Sequence, residues 1–513
     1  MLMEIVKKIE KFFFTKRKSS AVILGMMLSG ALPPYFQLWM AIVSFSGLIY
    51  LLSKEDKLKK LFVIGYCFGF GFFSCGFYWI GNALLVDMVH TGWLYPIVLF
   101  LNGAFFGLFI TIPAMITVFG KNILSKVLFF AASWGIFAEW FRGFFLTGFP
   151  WNPISSVLSF SYEMLQILAI FGTYGTSILV VLFSSLPVIY LVKRNKIIIF
   201  LFLFFPFAVW LYGYYSFVPY DEAASERNIK VRLVQPSIPQ EIKWDKQTIE
   251  NNFNKYIDLS VKKDNSDVDF IVWGETASPF DFIYDMEHRI SAASIVPQKG
   301  YLISGFLRRE FNGNYYIPYN SLAVINADAN VIDSYDKSHL VPFGEYIPFR
   351  KILPNWIRPI ANNVAEFGRG IKYQTINIGN FPTMAPLICY EIIFSDNIVR
   401  KKDNPLWAVV LTNDGWYGIS SGPYQHLVAA QMRAIEEGIS IVRSANSGIS
   451  AVITPYGEIL GKIPLAEEGF SDVVIKVDMA HETLFGSYGN TIPILLGIFI
   501  LILAWMFQYL KLY

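Results

Sequence analysis

Long apolar runs fill most of the first two-fifths of the chain and recur once near its end. Most approach the 20 or so residues that an α-helix needs to cross a bilayer. The pattern therefore predicts a membrane α-helical bundle of eight spans, seven before a large region of mixed composition and one after it. The approximate spans are Ser20–Pro33, Phe36–Leu52, Leu61–Leu85, Trp93–Phe119, Ile123–Trp140, Met164–Leu191, Ile197–Phe217 and Thr491–Leu510. The first is short, and its end at Pro33-Pro34 is the least defined boundary.

The mixed region alternates short apolar runs of β type with amphipathic helical stretches, which favours a sheet covered by helices. We predict three parts: a membrane bundle over 1–217, one domain over 218–488, and a last span with a short tail over 489–513. The Tyr456-Gly-Glu458 sequence is typical of a hairpin turn. The predicted strands are Val231–Ile238, Phe270–Trp273, Tyr301–Gly305, Ser321–Ile325, Ala385–Cys389, Ala408–Thr412, Ile439–Arg443 and Ser450–Thr454. The predicted helices are Thr248–Lys263, Ile283–Ile295 and Pro423–Glu437.

Basic residues occur in alternate connections between the apolar runs. They lie in the segment before Ser19, in Lys54–Lys60, at Lys121 and Lys126, and at Lys193, Arg194 and Lys196. The other connections have no Lys or Arg except Arg142 at one edge. Because basic loops stay in the cytoplasm, we expect both termini to be cytoplasmic and the mixed region to lie outside.

Composition narrows the functional class. Charged residues make up 16% of the 513 residues, against about 25% in soluble proteins. The net charge of +3 and the lack of a basic patch with interleaved aromatics give no reason to expect nucleic acid. No cleavage site follows the first apolar run, so we expect it to remain in the membrane. The histidines of the mixed region are far apart, and we predict no metal and no cofactor. These histidines are His288, His339, His426 and His481.

In the mixed region, two predicted strands and one short extended run each end beside a residue that could take part in catalysis. Glu275 follows Phe270–Trp273, Lys337 follows a short extended run, and Cys389 ends an apolar strand. A carboxylate base can take the proton of a thiol, and an ammonium can stabilise an oxyanion, so the set is sufficient for acyl transfer. Taken singly, Glu275 and Lys337 also fit ordinary surface positions, and Cys389 also fits a small buried apolar cysteine. Spacing alone does not bring them together.

The motifs around these residues resemble those of the nitrilase superfamily. They are Trp273-Gly-Glu275, Tyr335-Asp-Lys337-Ser-His-Leu-Val-Pro-Phe-Gly-Glu345, Ile388-Cys389-Tyr-Glu391, Leu411-Thr-Asn-Asp-Gly-Trp416 and Arg443-Ser-Ala-Asn-Ser-Gly448. The resemblance implies an inserted nitrilase-like α-β-β-α sandwich domain. With seven spans before it and one after, the whole chain resembles the apolipoprotein N-acyltransferases of the bacterial cytoplasmic (inner) membrane.

The resemblance implies roles for individual residues. Glu275 would be the general base, Lys337 the oxyanion stabiliser and Cys389 the nucleophile. Four further residues would support the site or bind substrate. Among them, the backbone N–H of Tyr390 would be an oxyanion donor. Trp244 would lie on a loop over the site. Ordinary surface packing remains an alternative explanation for Trp244. For Asn320, the alternative is that it ends a turn before a strand. The four supporting residues are Asn320, Glu345, Tyr390 and Glu391.

The implied reaction moves an acyl chain from a membrane phospholipid to the α-amino group of a diacylglyceryl-cysteine at the N-terminus of an apolipoprotein. A thioester on Cys389 would be the intermediate, and we expect a monomer. The apolar segment Pro342–Ile360 would border a lipid-facing entrance or act as a lid, or else form an ordinary packed helix. A membrane-anchored amidase or nitrile hydrolase, and a non-catalytic lipid-binding protein, remain alternatives.

Overall fold

The structure is a computed structural model of the 513-residue chain. It describes residues 16–221, 228–313, 315–354, 357–361, 365–372, 374–395 and 403–508. The chain divides into two compact units, one formed by Met1–Phe217 with Tyr488–Tyr513 and the other by Val218–Ser487. We call the first the helical unit and the second the sandwich domain.

The helical unit consists of apolar helices that follow the predicted runs. Among the described residues they are Arg17–Ser29, Leu38–Ser53, Leu58–Gly76, Met88–Thr91, Tyr95–Phe106, Leu108–Ile116, Ile123–Ser133, Tyr162–Leu165, Leu168–Ser184, Leu186–Lys193, Lys196–Ser216 and Thr491–Phe507. Glycines let several of them pack closely. A Cβ on Gly25 would lie 1.9 Å from the backbone oxygen of Phe68, so only glycine fits where these two helices cross.

Five helical stretches in the described part of the chain are long and apolar enough to cross a membrane. They are Leu58–Gly76, Met88–Phe119, Ile123–Gly143, Leu168–Lys193 and Lys196–Ser216. The helices at Arg17–Ser29, Leu38–Ser53 and Thr491–Phe507 have 13, 16 and 17 residues, below the usual length of a span. The described part of the chain therefore contains five candidate membrane spans, and the count of eight stays a prediction.

Arg142, the one basic residue that departs from the charge pattern, is buried inside the helical unit. Its guanidinium donates hydrogen bonds to the backbone oxygens of Ala138 and Trp151, at 2.8 and 3.0 Å, and also to that of Phe149. The side chain thus fastens the connection that follows it. A buried arginine with these acceptors is explained by local packing, without reference to loop orientation.

The sandwich domain contains two sheets. The six-stranded sheet has the order β11-β1-β2-β3-β4-β5 and the five-stranded sheet the order β10-β9-β8-β7-β6. The strands are β1 (Asn228–Gln235), β2 (Phe270–Val272), β3 (Tyr301–Phe311), β4 (Tyr316–Asn326), β5 (Val331–Asp336), β6 (Met384–Ile388), β7 (Trp407–Thr412), β8 (Ser440–Ala445), β9 (Ser450–Ile453), β10 (Ile459–Ile463) and β11 (Gly469–Lys476). Pairing is parallel along β1-β2-β3 and β6-β7-β8.

Two apolar cores show how the layers stack. One core joins the two sheets through residues such as Val272 on β2 and Val409 on β7. The other packs the helix Ile249–Val261 and the helix Met286–Ala293 on the far face of the six-stranded sheet. The helix Gly422–Glu437 contacts the five-stranded sheet along β8 and β9. This arrangement of layers confirms the predicted α-β-β-α sandwich.

Several element boundaries differ from the prediction. β3 and β4 are longer than predicted, because both continue into an exposed hairpin that ends near Phe311 and Tyr316. The helix predicted over Ile283–Ile295 is shorter and covers Met286–Ala293. Strands β10 and β11 were not predicted, because their side chains are only partly buried. The end of β5 was predicted only as a short extended run before Lys337. The hairpin turn at Tyr456–Glu458 is confirmed, with Gly457 at φ 82° between β9 and β10.

The described residues of the apolar segment after Lys337 do not form the ordinary packed helix that was one expectation. Within 342–360 these residues adopt turns without a helix. Several large apolar side chains project outward, with Ile352 81% exposed. Phe343 and Phe349 take left-handed backbone conformations, at φ 60° and 55°. The segment therefore presents apolar side chains on the surface of the sandwich domain.

Candidate active site

Cys389 lies at a sharp turn where β6 ends. The strand finishes at Ile388, and a short 3₁₀ turn begins at Cys389 itself. Cys389 has φ 52°, a left-handed conformation that L-residues other than glycine, asparagine and aspartate rarely adopt. Such strain persists only where surrounding contacts hold it, and it clusters at functional sites. The thiol is buried, with the residue 5% exposed.

Glu275 follows β2, on the neighbouring sheet. Its backbone N–H donates to the Thr412 backbone oxygen at 3.3 Å, which ties it to the end of β7. Gly274, just before Glu275, permits this close approach, because a Cβ there would lie 2.9 Å from the Asn446 nitrogen and 3.2 Å from the Thr412 oxygen. Strand ends of both sheets therefore meet around Glu275.

Lys337, Asn320 and two carboxylates form one buried cluster. The Lys337 ammonium donates to Glu345 Oε1 at 2.9 Å and to Glu275 Oε1 at 3.5 Å. The Asn320 amide donates to the same two oxygens, at 2.9 and 2.7 Å respectively. The Lys337 backbone N–H donates to the Asn320 backbone oxygen at 2.9 Å as β5 ends beside β4. All four residues are buried.

The charges in this cluster fix the protonation of Lys337. Burial lowers the pKa of Lys337, but the Glu345 and Glu275 carboxylates outweigh it and hold that pKa above its ordinary value. Lys337 therefore stays an ammonium throughout the physiological range. A permanently charged donor next to a thiol is suited to stabilising an oxyanion.

The resting thiol of Cys389 is neutral. Burial raises its pKa, the Glu275 carboxylate raises it further, and Lys337 opposes both, so that the pKa is about 12. The Thr412 side chain hydrogen-bonds to the thiol and also favours the thiolate. Because the thiolate is the nucleophile, deprotonation must accompany attack, and Glu275 is the nearby carboxylate available as a base.

Glu391 joins the Lys337 loop to the Cys389 turn. Its Oε1 accepts hydrogen bonds from the Ser338 and His339 backbone N–H groups, at 2.9 and 3.0 Å, and from the Tyr335 hydroxyl at 2.8 Å. Its Oε2 accepts from the Ile388 N–H at 2.9 Å. With both oxygens occupied by these donors, Glu391 acts as a positioning group between β5 and β6.

The two remaining predicted residues differ in burial. Tyr390 is 1% exposed and packs its ring near His339 and Phe394. Trp244 is 38% exposed and lies on the loop after β1. The Lys243 ammonium lies 5.6 Å from the centre of the Trp244 ring. Among the residues that the structure describes, no hydrogen bond joins the Trp244 side chain to this buried cluster.

Known protein families match both units of the chain. A model of the apolipoprotein N-acyltransferase N-terminal domain matches residues 24–186, and a carbon-nitrogen hydrolase model matches residues 230–484. Apolipoprotein N-acyltransferase of Rhodopseudomonas palustris is 32% identical over 93% of this chain and 92% of its own length. That of Rickettsia prowazekii is also 32% identical, over 96% of this chain and 98% of its own. The chain belongs to the apolipoprotein N-acyltransferase family.

Solved structures of nitrilase-type proteins are also similar to part of this family member. A CN-hydrolase superfamily protein from Xanthomonas campestris is 18% identical, with a TM-score of 0.37, over 52% of this chain and 96% of its own. Nit3 of Saccharomyces cerevisiae is 17% identical, with a TM-score of 0.36, over 50% of this chain and 93% of its own.

Lys243 is a buried cation of this apolipoprotein N-acyltransferase family member that sequence reasoning missed. Its ammonium donates to the Glu275 backbone oxygen at 3.0 Å and to the Thr276 hydroxyl at 2.8 Å. Burial lowers the pKa of Lys243 to about 8, although Glu275 and Cys389 oppose the shift. Its position beside Trp244, which the resemblance placed on a loop over the site, was the available signal.

A second group of buried residues, whose role was not predicted from the sequence, lies close to Cys389 in this family member. Asp414 and Arg443 form a fully buried ion pair at 2.6 Å, and His426 lies 2.8 Å from Asp414 Oδ1. Burial raises the pKa of Asp414, but Arg443 and His426 outweigh it and hold that pKa at about 2. Asp414 and Arg443 belong to the matched motifs, whereas His426 was assigned no function. No cluster of metal-ligating side chains occurs among the residues that the structure describes.

Proposed function

We propose that the chain transfers an acyl chain from a membrane phospholipid to the α-amino group of an N-terminal diacylglyceryl-cysteine, which completes the maturation of an apolipoprotein. Membership of the apolipoprotein N-acyltransferase family supports this reaction class. The observation that carries the assignment is the shared cluster in which Lys337 contacts both Glu275 and Glu345, in the same buried site as Cys389.

In the first step Cys389 Sγ attacks the ester carbonyl of the phospholipid. Glu275 takes the thiol proton, while Lys337 and the Tyr390 N–H stabilise the oxyanion. The oxyanion collapses, the C–O bond breaks, and the proton held by Glu275 passes to the lysophospholipid alkoxide. An acyl thioester remains on Cys389.

In the second step the free α-amino group of the diacylglyceryl-cysteine attacks the thioester carbonyl. Glu275 takes a proton from the nitrogen, the C–S bond breaks, and Glu275 returns that proton to the thiolate of Cys389. The product is an amide. An α-amino pKa of about 8 leaves a useful neutral fraction of the amine at neutral pH.

The supporting residues position these groups. Glu345 and Asn320 hold Lys337 and Glu275 by hydrogen bonds. Glu391 holds the loop of Lys337 against the turn of Cys389. Trp244, on its half-exposed loop, would contact the lipid substrate, and the exposed apolar side chains of residues 342–360 would border the lipid entrance.

The proposed setting is the bacterial cytoplasmic membrane, with both termini cytoplasmic. Residues 1–217 would form the membrane bundle with seven spans, 218–488 the catalytic domain on the periplasmic side, and 489–513 the eighth span with its tail. The alternation of basic connections supports this orientation. The protein would act as a monomer with the bilayer, a phospholipid donor and an apolipoprotein acceptor, and without a metal or cofactor.

The mechanism is tested by the intact mass of purified protein after incubation with phospholipid alone. We expect wild type to gain the mass of one acyl chain, hydroxylamine to remove it, and a diacylglyceryl-cysteine peptide to discharge it. Cys389→Ala should gain nothing, and Cys389→Ser should give no hydroxylamine-labile thioester.

Two other outcomes would support the alternatives. Absence of the acyl adduct, together with labelling by a small amide or nitrile, would favour a membrane-anchored amidase or nitrile hydrolase. Absence of an adduct with every substrate would favour a non-catalytic lipid-binding protein.

A further inference from the structure

His426 contacts the backbone of the nucleophile rather than its side chain. Its Nε2 lies 3.1 Å from the Cys389 backbone oxygen. A carbonyl oxygen only accepts hydrogen bonds, so Nε2 must carry a proton and donate it. The residue belongs to the helix Gly422–Glu437 and is completely buried.

Asp414 and Arg443 hold the His426 ring in place. The ring Nδ1 lies 2.8 Å from Asp414 Oδ1 and 3.2 Å from Arg443 Nη2. Arg443 also donates to Asp414 Oδ2 and to the Ile449 backbone oxygen, at 2.6 and 3.1 Å. The ring is thus fixed to β8 and to the turn after β7, so its Nε2–H direction is set by the fold.

This hydrogen bond controls one peptide plane. The Cys389 carbonyl and the Tyr390 N–H belong to the same planar trans peptide unit, in which the two groups point in opposite directions. A donor that fixes the carbonyl on one side therefore fixes the N–H on the other. Because this plane follows Cys389, the contact restrains the backbone on the C-terminal side of a residue whose φ is 52°, and so helps hold the turn that carries the thiol.

We propose that His426 is a positioning residue that fixes the Cys389–Tyr390 peptide plane and thereby aims both the thiol and the Tyr390 N–H. The inference rests on the proposed function insofar as that N–H serves as an oxyanion donor. Two states of the ring carry the Nε2 proton: the neutral tautomer, whose Nδ1 accepts from Arg443 Nη2, and the imidazolium, whose Nδ1–H donates to Asp414. In both of them His426 donates to the Cys389 oxygen. Burial and Arg443 lower the pKa of His426, and Asp414 opposes them.

Two substitutions separate the donor from the volume of the ring. His426→Leu fills the space but donates nothing to the Cys389 carbonyl. His426→Gln can place its amide Nε2–H near the position of the ring Nε2–H. His288→Leu is the control, because His288 also contacts a carboxylate, that of Asp285, and packs on an aromatic ring, but belongs to the helix layer of the other sheet.

The rates of two reactions of Cys389 distinguish a misplaced oxyanion donor from a general loss of folding. Acylation passes through an oxyanion, whereas alkylation by iodoacetamide does not. Loss of one oxyanion donor typically lowers a rate by about 10²–10³-fold. We therefore expect His426→Leu to slow acylation about 10²-fold and alkylation less than about 10-fold. His426→Gln should recover most of the acylation rate, and His288→Leu should leave it unchanged.

The assays use the full-length protein in detergent. Phospholipid is the first acyl donor, and p-nitrophenyl acetate is the second. The Cys389 peptide is quantified by mass spectrometry, and the melting temperature is recorded. If wild type reacts with p-nitrophenyl acetate but not with phospholipid, the proposed function fails while the test of His426 continues. Equal losses of acylation and alkylation in His426→Leu, with a lowered melting temperature and no rescue by Gln, would assign His426 to folding alone. An unchanged acylation rate in His426→Leu would overturn the proposal directly.

Discussion

At the scale of single residues, the site combines groups whose charges oppose one another. Two carboxylates share one ammonium, and the thiol beside them is neutral with a pKa of about 12. Sequence spacing gave no means of assembling this set, because Glu275, Lys337 and Cys389 are 62 and 52 residues apart (337 − 275 and 389 − 337). The motifs identified them through resemblance, and the ends of β2, β5 and β6 bring them together.

The Glu275 carboxylate has opposite effects on the resting thiol and on catalysis. Burial is the largest cause of the raised pKa of Cys389, and the Glu275 carboxylate raises that pKa further, so the thiol is still almost entirely neutral at pH 9. We expect Glu275→Gln to increase alkylation of Cys389 at pH 9 several-fold, because the variant lowers that pKa. Acyl-enzyme formation should fall by about 10²–10⁴-fold with loss of the base.

Mass spectrometry of the Cys389 peptide between pH 7 and 10 measures the first effect. Glu310→Gln is the control, because Glu310 is exposed at the β3 end. Slower alkylation in Glu275→Gln would mean instead that the carboxylate promotes thiolate formation in the resting enzyme.

At the scale of elements, the predictable strands were those with continuous apolar runs. β6 and β7 are buried at every position and were predicted within a residue or so. β10 and β11 have partly exposed sequences such as Gly469–Lys476, whose strand character depends on pairing with β9 and β1. Contacts between distant elements, such as the Glu391 bridge from β5 to β6, arise only from tertiary structure.

We expect the hydrogen bonds of Glu391 between β5 and β6 to stabilise the sandwich domain. Glu391→Gln keeps the shape but replaces one acceptor oxygen by an NH₂ group that faces a backbone or hydroxyl donor. Hydrogen bonds to a charged group contribute about 1.5–3 kcal/mol, so we expect a loss of about that size in the stability of the sandwich domain. Acyl-enzyme formation should also fall, because the Lys337 loop loses its attachment to the Cys389 turn.

Thermal unfolding of the full-length protein gives the measurement. Glu467→Gln serves as the control, because Glu467 is exposed. A melting temperature of Glu391→Gln equal to that of the control would show that the bridge contributes little to the fold.

At the scale of the whole molecule, composition separated the two units but did not settle the number of spans. The long apolar helices were evident because nothing else explains runs of that length. The shorter helices at the two ends of the helical unit depend on tertiary packing for their extent, which the apolar pattern does not encode. Orientation rests on charge alone, since basic connections alternate with connections that carry none apart from the buried Arg142.

That orientation predicts which residues react from outside the cell membrane. In a background of Cys67→Ser, Cys75→Ser and Cys389→Ser, single cysteines replace the exposed residues Lys57, Val89 or Tyr284. The positive-inside rule places Lys57 in the cytoplasm and the other two outside. We therefore expect a membrane-impermeant maleimide to label Val89→Cys and Tyr284→Cys in intact spheroplasts, and Lys57→Cys only after permeabilisation. The reverse pattern would put the sandwich domain in the cytoplasm, where a periplasmic acylation of apolipoproteins is impossible.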